Sequence, residues 1–328
     1  MTAVRGTDPP EPLTLEDRVR AHLVTPLPLP GHGHTAARLE QLADAAHDDV
    51  VVGRLQEANA DADAILAELA GRRVAPGEWW GVWAAEPPTP VLMAREADEG
   101  WVLDGTKAWC SGAGMCTHAL VTARVGDARP LFAVDLQQPG VTSDLAGWKA
   151  SGMGRSATGG VSFAGVAATP VGSPAAYLTR AGFWHGGIGV AACWFGGALK
   201  VADALHRAAA RRPLDDLAAA HLGAVDAALA GARWTLEGAA AEIDAAPDDL
   251  DAAVLRARRV RAVVETAATA TLDHVGRALG AAPLALDEEH STAVSDLTVY
   301  LRQSHAERDL AAIGRAAAAT VADRDTST

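Results

Sequence analysis

The sequence predicts an α+β protein in three units: a helical N-terminal cap over residues 1–75, a small antiparallel β domain over 76–172, and a C-terminal four-helix bundle over 173–328. Apolar residues at steps of three and four between residues 35 and 70 carry the helical period of the first unit. Short apolar runs cut by turn residues fill the middle third, the pattern of strands in a compact sheet. After Pro174 the chain becomes long, alanine-rich and periodic, as helices joined by short connections require.

In chain order, residues 1 to about 15 are rich in Pro, Thr and Glu and read as a loose tail, and 26–34 as a loop. Leu39, Leu42 and Ala46 form one apolar stripe; Val51, Leu55, Ala58, Ala62, Leu66 and Leu69 form the next. His47-Asp48-Asp49 divides the two helices, and Gly71 is the stop signal. Strands are predicted at 79–84, 91–95, 101–103, 119–125, 131–135 and 161–163. Asp104-Gly105 reads as a tight hairpin turn, after which strand alternation puts Trp109 and Ser111 on one face. Bundle helices are predicted at 175–210, 214–245, 249–279 and 292–319, parted at Arg212-Pro213, Ala246-Pro247 and residues 280–283.

Composition narrows the function. Apolar residues are 49% of 328, enough for a large core. The net charge of -13 with no basic block argues against nucleic acid as a partner. Cys110, Cys116 and Cys193 show neither metal spacing nor a disulfide framework, so no metal is expected. With no signal pattern and no uninterrupted membrane-length apolar run, the expectation is a cytoplasmic protein with no membrane partner.

One segment carries a specific likeness. Gly100-Trp101-Val102-Leu103-Asp104-Gly105-Thr106-Lys107-Ala108-Trp109-Cys110-Ser111-Gly112 closely resembles the G-W-x-L-x-G-x-K-x-W-x-[ST] stretch of acyl-CoA dehydrogenases. Val82-Trp83-Ala84-Ala85-Glu86-Pro87 resembles that family's Thr-Glu-Pro strand end, with Ala85 where Thr is usual. Pro88-Thr89-Pro90 replaces the Gly-Ser pair that touches substrate there. The stretch from Trp148 to Gly159, then Val161 to Val166, resembles the end of the family's sheet domain, and Asp296 to Leu310 resembles its last helix. The N-terminal part is shorter than the family's by several helices.

The resemblance implies FAD between sheet and bundle, with Trp109 and Ser111 beside the ring and Trp83 and Ala85 along the flavin strand. It implies that Arg211, Gly276 and Gly280 reach the FAD of a neighbouring subunit, hence a homo-oligomer or a hetero-oligomer with a related subunit. It also implies an acyl-CoA or other small-molecule substrate and an electron-transfer flavoprotein as electron acceptor. The family reaction needs a carboxylate base over the substrate. The two family positions for it fall on Arg302 or Gln303, and on Thr179. Glu307, Glu86 and the Glu288/Glu289 pair are the carboxylates that could substitute, and His185 the candidate proton shuttle. Two other functions fit the same residues: a flavin-dependent monooxygenase, which needs no such Glu, and a non-catalytic subunit partnering an active dehydrogenase.

Overall fold

The structure, a computed structural model, describes residues 13–326; the first twelve residues of the expected tail lie outside the described residues. A helix that the sequence reading did not predict precedes the other two. Thr14 caps α1 (Leu15–Leu23) by a capping box, its hydroxyl accepting from Asp17 N and the Asp17 carboxylate accepting from Thr14 N. Then come α2 (Thr35–Asp48) and α3 (Val50–Ala70), divided as expected at Asp49. Asp49 is extended and N-caps α3, its carboxylate accepting from Val51 N and Val52 N. Gly71, at φ +63, ends α3 in the left-handed conformation that glycine tolerates.

The middle unit is one seven-stranded sheet: β1 (Trp80–Trp83), β2 (Leu92–Ala97), β3 (Gly100–Cys110), β4 (His118–Thr122), β5 (Leu131–Asp135), β6 (Val141–Asp144) and β7 (Gly159–Pro170). The order is β1-β4-β5-β7-β3-β2, with β6 also paired to β7. Two expectations are corrected here. The sheet is not wholly antiparallel, because β1 and β4 run parallel, Trp80 opposite His118. Asp104-Gly105 is no hairpin turn. The β2–β3 hairpin turns at Asp98-Glu99, where Ala97 faces Gly100, and β3 runs on through Gly105. The turn chemistry there serves a bulge instead. The pairing with β7 slips between Leu103 and Asp104, and the Asp104 carboxylate accepts from Gly165 N at 2.7 Å. Gly105, at φ +117, leaves no room for a Cβ against the Val91 carbonyl.

The last unit holds α4 (Ala181–Arg211), α5 (Asp216–Ala245) and α6 (Leu250–Leu279), then a short α7 (Ala282–Leu286). The expected fourth bundle helix is broken into α8 (Glu288–Tyr300) and α9 (Glu307–Thr326) by a 3-10 turn at Leu301–Gln303 and Ala306 at φ +39. The predicted first bundle helix also starts six residues late, because the stretch before Ala181 forms turns. Helix α4 lies at the centre and packs against α2, α6, α5 and α8. It is long and apolar enough to suit a membrane span, yet 78% of its apolar window is buried inside the protein.

Small residues let the helices approach. A Cβ on Gly196 would overlap the Ala43 backbone of α2, and one on Gly186 would lie 2.5 Å from Asp61 Oδ1 on α3. The glycine run at the start of α4 therefore serves close helix packing. Leu42, Val51, Trp194, Val264 and Leu297 are buried in the helical core. A second core lies within the sheet around Leu103, Phe132 and Val161, and a third joins α3 to β1, β4 and β5 through Ile65, Trp80 and Leu120.

Candidate functional site

Trp83, Trp109 and Ser111, three of the residues quoted for the flavin site, come together where β3 ends. Between Lys107 and Cys110 the pairing with β7 slips, and Trp109 takes φ +61, a conformation unusual for a bulky side chain. That break cancels the expected alternation, so Trp109 and Ser111 do not share a face as a continuous strand would place them. The Trp109 ring is turned out and 61% exposed, while Ser111, in the following turn, is buried. Trp148 meets Trp109 edge-on at 6.3 Å and is held by its indole N–H donating to Gly152 O at 3.1 Å.

Trp83 fastens β1 to this turn. Its ring is buried, lies across Gly81, and donates from Nε1 to Ser111 O at 3.0 Å. Ala85 is exposed just beyond β1. Next to it, Glu86 is not a free base. Buried Lys107 donates to Glu86 Oε1 at 2.6 Å and to Thr122 Oγ1 and O at 2.7 and 2.8 Å, while Thr122 Oγ1 donates to Glu86 at 2.5 Å. Burial alone would raise the Glu86 pKa, but the Lys107 and Thr122 hydrogen bonds outweigh it and hold the carboxyl below its ordinary value. The group keeps the end of β1 in place.

The other base candidates lie elsewhere. Glu307 is exposed in the first turn of α9, on a 660 Å³ groove between α6 and α9. Glu288 and Glu289 open α8, with Glu289 paired to Lys200. His185 is buried early in α4, and desolvation, with Arg256 and Arg180 near, lowers its pKa to about 4. The structure thus puts Glu86, His185 and Glu307 in three separate places. At the family's main base position the 3-10 turn exposes Arg302 and Gln303, and the backbone there is clamped by Arg261, which donates to Gln303 O at 3.1 Å and to Gly187 O at 2.9 Å. Thr179 is exposed just before α4.

The predicted nucleotide-half residues are also rearranged. Residues 274–279 continue α6 rather than form a glycine loop, since Gly276 stands alone inside an otherwise strong helix former sequence. Only Gly280, at φ +66, ends the helix, and Arg211 is exposed at the end of α4.

Two clusters went unread in the sequence. Asp49, besides capping α3, accepts from Arg18 at 3.0 Å and from Arg155 at 2.7 Å, and Arg155 also reaches Asp296 at 3.1 Å. Asp296 in turn accepts from Met153 N at 2.5 Å, so one chain of charges joins α1, α3, the loop after Trp148 and α8. The second cluster is on α3, where Glu57 pairs with Arg54 at 2.7 Å beside buried Arg38. Burial, against the pull of Arg54 and with Asp61 one turn on, pushes Glu57 up to about 7. The one signal for it was Arg54, Glu57 and Asp61 recurring at helical spacing in an otherwise apolar helix.

Residues 84–166 match the model of the acyl-CoA dehydrogenase middle domain. A search of curated protein sequences finds no match. Among solved structures, dibenzothiophene monooxygenase (TdsC) from Paenibacillus sp. A11-2 superposes with a TM-score of 0.71 at 17% identity, over 85% of this chain and 82% of that one. The 3-HSA hydroxylase from Rhodococcus sp. RHA1 gives 0.70 at 16% over 92% of each chain. Butyryl-CoA dehydrogenase from Megasphaera elsdenii gives 0.71 at 15%, over 84% of this chain and 80% of that one. The mixed α+β fold expected from the sequence, a small sheet followed by a helical C-terminal region, is therefore the one these proteins share.

Proposed function

We propose that this chain, which has the acyl-CoA dehydrogenase fold, is a flavin-dependent oxidoreductase that lays the flavin ring on Trp109. The observation that carries the reading is the Trp109 indole itself, 61% exposed yet fixed by a left-handed backbone at a strand end. Bulky apolar rings held out in that way suit a planar ligand. Ser111 is buried two residues on, and the Trp83, Lys107 and Glu86 contacts hold the two strand ends together. A bound flavin would supply hydride transfer and, when reduced, reaction with dioxygen. TdsC has been solved with FMN bound, and its fold-mates include both monooxygenases and a dehydrogenase. The finer choice of FAD rests on Arg211, Gly276 and Gly280, of which the glycine loop is not formed.

Between the two reactions, the residues favour monooxygenation. Dehydrogenation of an acyl-CoA CH–CH group needs a carboxylate base, and the two family positions hold Arg302 or Gln303 and Thr179. In the favoured reaction one oxygen atom of dioxygen enters the substrate and the other leaves as water, with reduced flavin giving the two electrons. Acyl-CoA dehydrogenation, with an electron-transfer flavoprotein as acceptor, is the second reading and rests on the middle-domain match.

The test is an absorbance titration of the purified protein with FMN and with FAD, followed by anaerobic addition of an acyl-CoA panel. Flavin that binds and never bleaches with acyl-CoA, but hydroxylates or sulfoxidises an added substrate after reduction and exposure to air, supports the favoured reading. Bleaching by one acyl-CoA moves the assignment to dehydrogenation. Trp109→Ala is expected to cost about 1 kcal/mol of stacking, roughly a fivefold rise in flavin Kd. An unchanged Kd would remove the ring from the site.

A further inference from the structure

Among the described residues four other than glycine take a left-handed backbone, and three of them, Trp109, Met153 and Ala157, lie around the end of β3. Residues with a side chain hold that conformation only where their surroundings fix it, and such positions gather at working sites. Here the fixing comes from a helix of another unit. Asp296 on α8 is 2% exposed, and it accepts from Met153 N at 2.5 Å through Oδ1 and from Arg155 Nη2 at 3.1 Å through Oδ2. Gly152 lies so close to the same helix that a Cβ on it would overlap Ser295 O. A buried carboxylate that holds a backbone N–H and a guanidinium at once is a stiff link.

Two contacts lead from this anchor to Trp109. Gly152 O accepts the Trp148 indole N–H at 3.1 Å, and the Trp148 ring meets Trp109 edge-on. Ser156 O accepts from Gly112 N, in the turn after Trp109, at 2.9 Å. The buried Ser156 hydroxyl donates back to Met153 O at 2.5 Å, so both contacts start from one rigid turn. The strand itself gives Trp109 no comparable hold, because the pairing with β7 slips between Lys107 and Cys110.

We propose that Asp296 is a positioning residue for Trp109: α8 sets the orientation of the exposed ring through Asp296, the turn it grips and Trp148. The proposal rests on the reading of Trp109 as the support of a flavin, and adds that a helix of the C-terminal unit aims that support.

The test uses the full-length protein labelled with fluorotryptophan, with the Trp109 and Trp148 fluorine signals assigned by Trp109→Phe and Trp148→Phe. Asp296→Ala should shift both signals and leave that of Trp234, exposed on α5, in place. Asp296→Asn keeps an acceptor for Met153 N and should return both signals towards their unaltered positions. Arg155→Gln, at a half-exposed position, loosens the same turn and should move the two signals even if Asp296→Ala does not fold. In titrations with FMN, Asp296→Ala should raise the Kd about threefold, within what one aromatic contact contributes. It should raise it no further in the Trp109→Ala background, because residues that act through one contact do not add. A general loss of packing would instead raise the Kd by the same factor in both backgrounds. That result, or a Trp109 signal unmoved in Asp296→Ala and Arg155→Gln, would overturn the proposal. Unaltered protein that binds no flavin would remove the reading of Trp109 as a support, while the fluorine signals would still decide whether α8 sets the ring.

Discussion

At the scale of single residues, Lys107 shows how a family-like motif is used twice. Its ammonium is 3% exposed and makes its contacts with Glu86 and Thr122. Lys107→Met strands the Glu86 carboxylate, and urea unfolding is expected to show a loss of about 2 kcal/mol. The pH dependence follows from the direction of the Glu86 shift. Its folded pKa is depressed, so its contribution is complete above the ordinary carboxylate value of 4.5 and is lost as pH falls through the lower folded value. Glu57 has the opposite sign. Its pKa is raised from 4.5 to about 7, so its contribution is complete below 4.5 and declines as pH rises towards 7. Melting temperatures of Glu57→Gln should therefore fall less over that window than those of the unaltered protein; parallel profiles would mean that Glu57 ionises normally. Trp109 was readable as a candidate from its motif. Its left-handed backbone was not, because no local rule places a bulky ring at φ +61.

At the scale of elements, Asp49 decides how α1, α3 and the loop after Trp148 meet. Asp49→Ala removes the α3 cap and both arginine partners, and is expected to cost about 3 kcal/mol in chemical denaturation. Asp49→Asn retains an acceptor for the cap and should recover about 1 kcal/mol of that loss. Equal losses in the two variants would show that the ion pairs carry the whole effect. Gly196→Ala drives a methyl into the Ala43 backbone, and a loss of about 2 kcal/mol is expected on overpacking grounds. The α2–α3 division and α3 stop were legible because Asp49 and Gly71 act locally. The break between α8 and α9 was not, since the apolar period runs on while Arg261 and the 3-10 turn, made by tertiary contacts, interrupt it.

At the scale of the whole molecule, the order helices, sheet, bundle was legible because each unit has its own period and composition. The parallel pairing of β1 with β4 was not, because strand direction depends on what is inserted between strands and leaves no mark within them. The outer bundle surface leaves Leu217, Trp234 and Leu286 exposed at 77%, 68% and 86%. Exposed aromatic and aliphatic side chains of this size suit contact between copies. We expect sedimentation velocity to show an assembly larger than one chain, and Trp234→Ser to shift it towards the single chain. A single-chain species at all concentrations would rule that contact out.

The parallel β1–β4 pair also has a kinetic consequence. Trp79 meets Thr117 across 38 residues of chain, and Asp104 meets Gly165 across 61. Contacts that distant in sequence close slowly, because each must overcome the entropy of a long loop before it gains anything. The helices on either side form from local contacts and can be in place first. The sheet end that presents Trp109 is then among the last parts of the molecule to be completed during refolding. A ligand that stacks on that ring would meet a nearly finished protein, and would slow its unfolding far more than it speeds its folding.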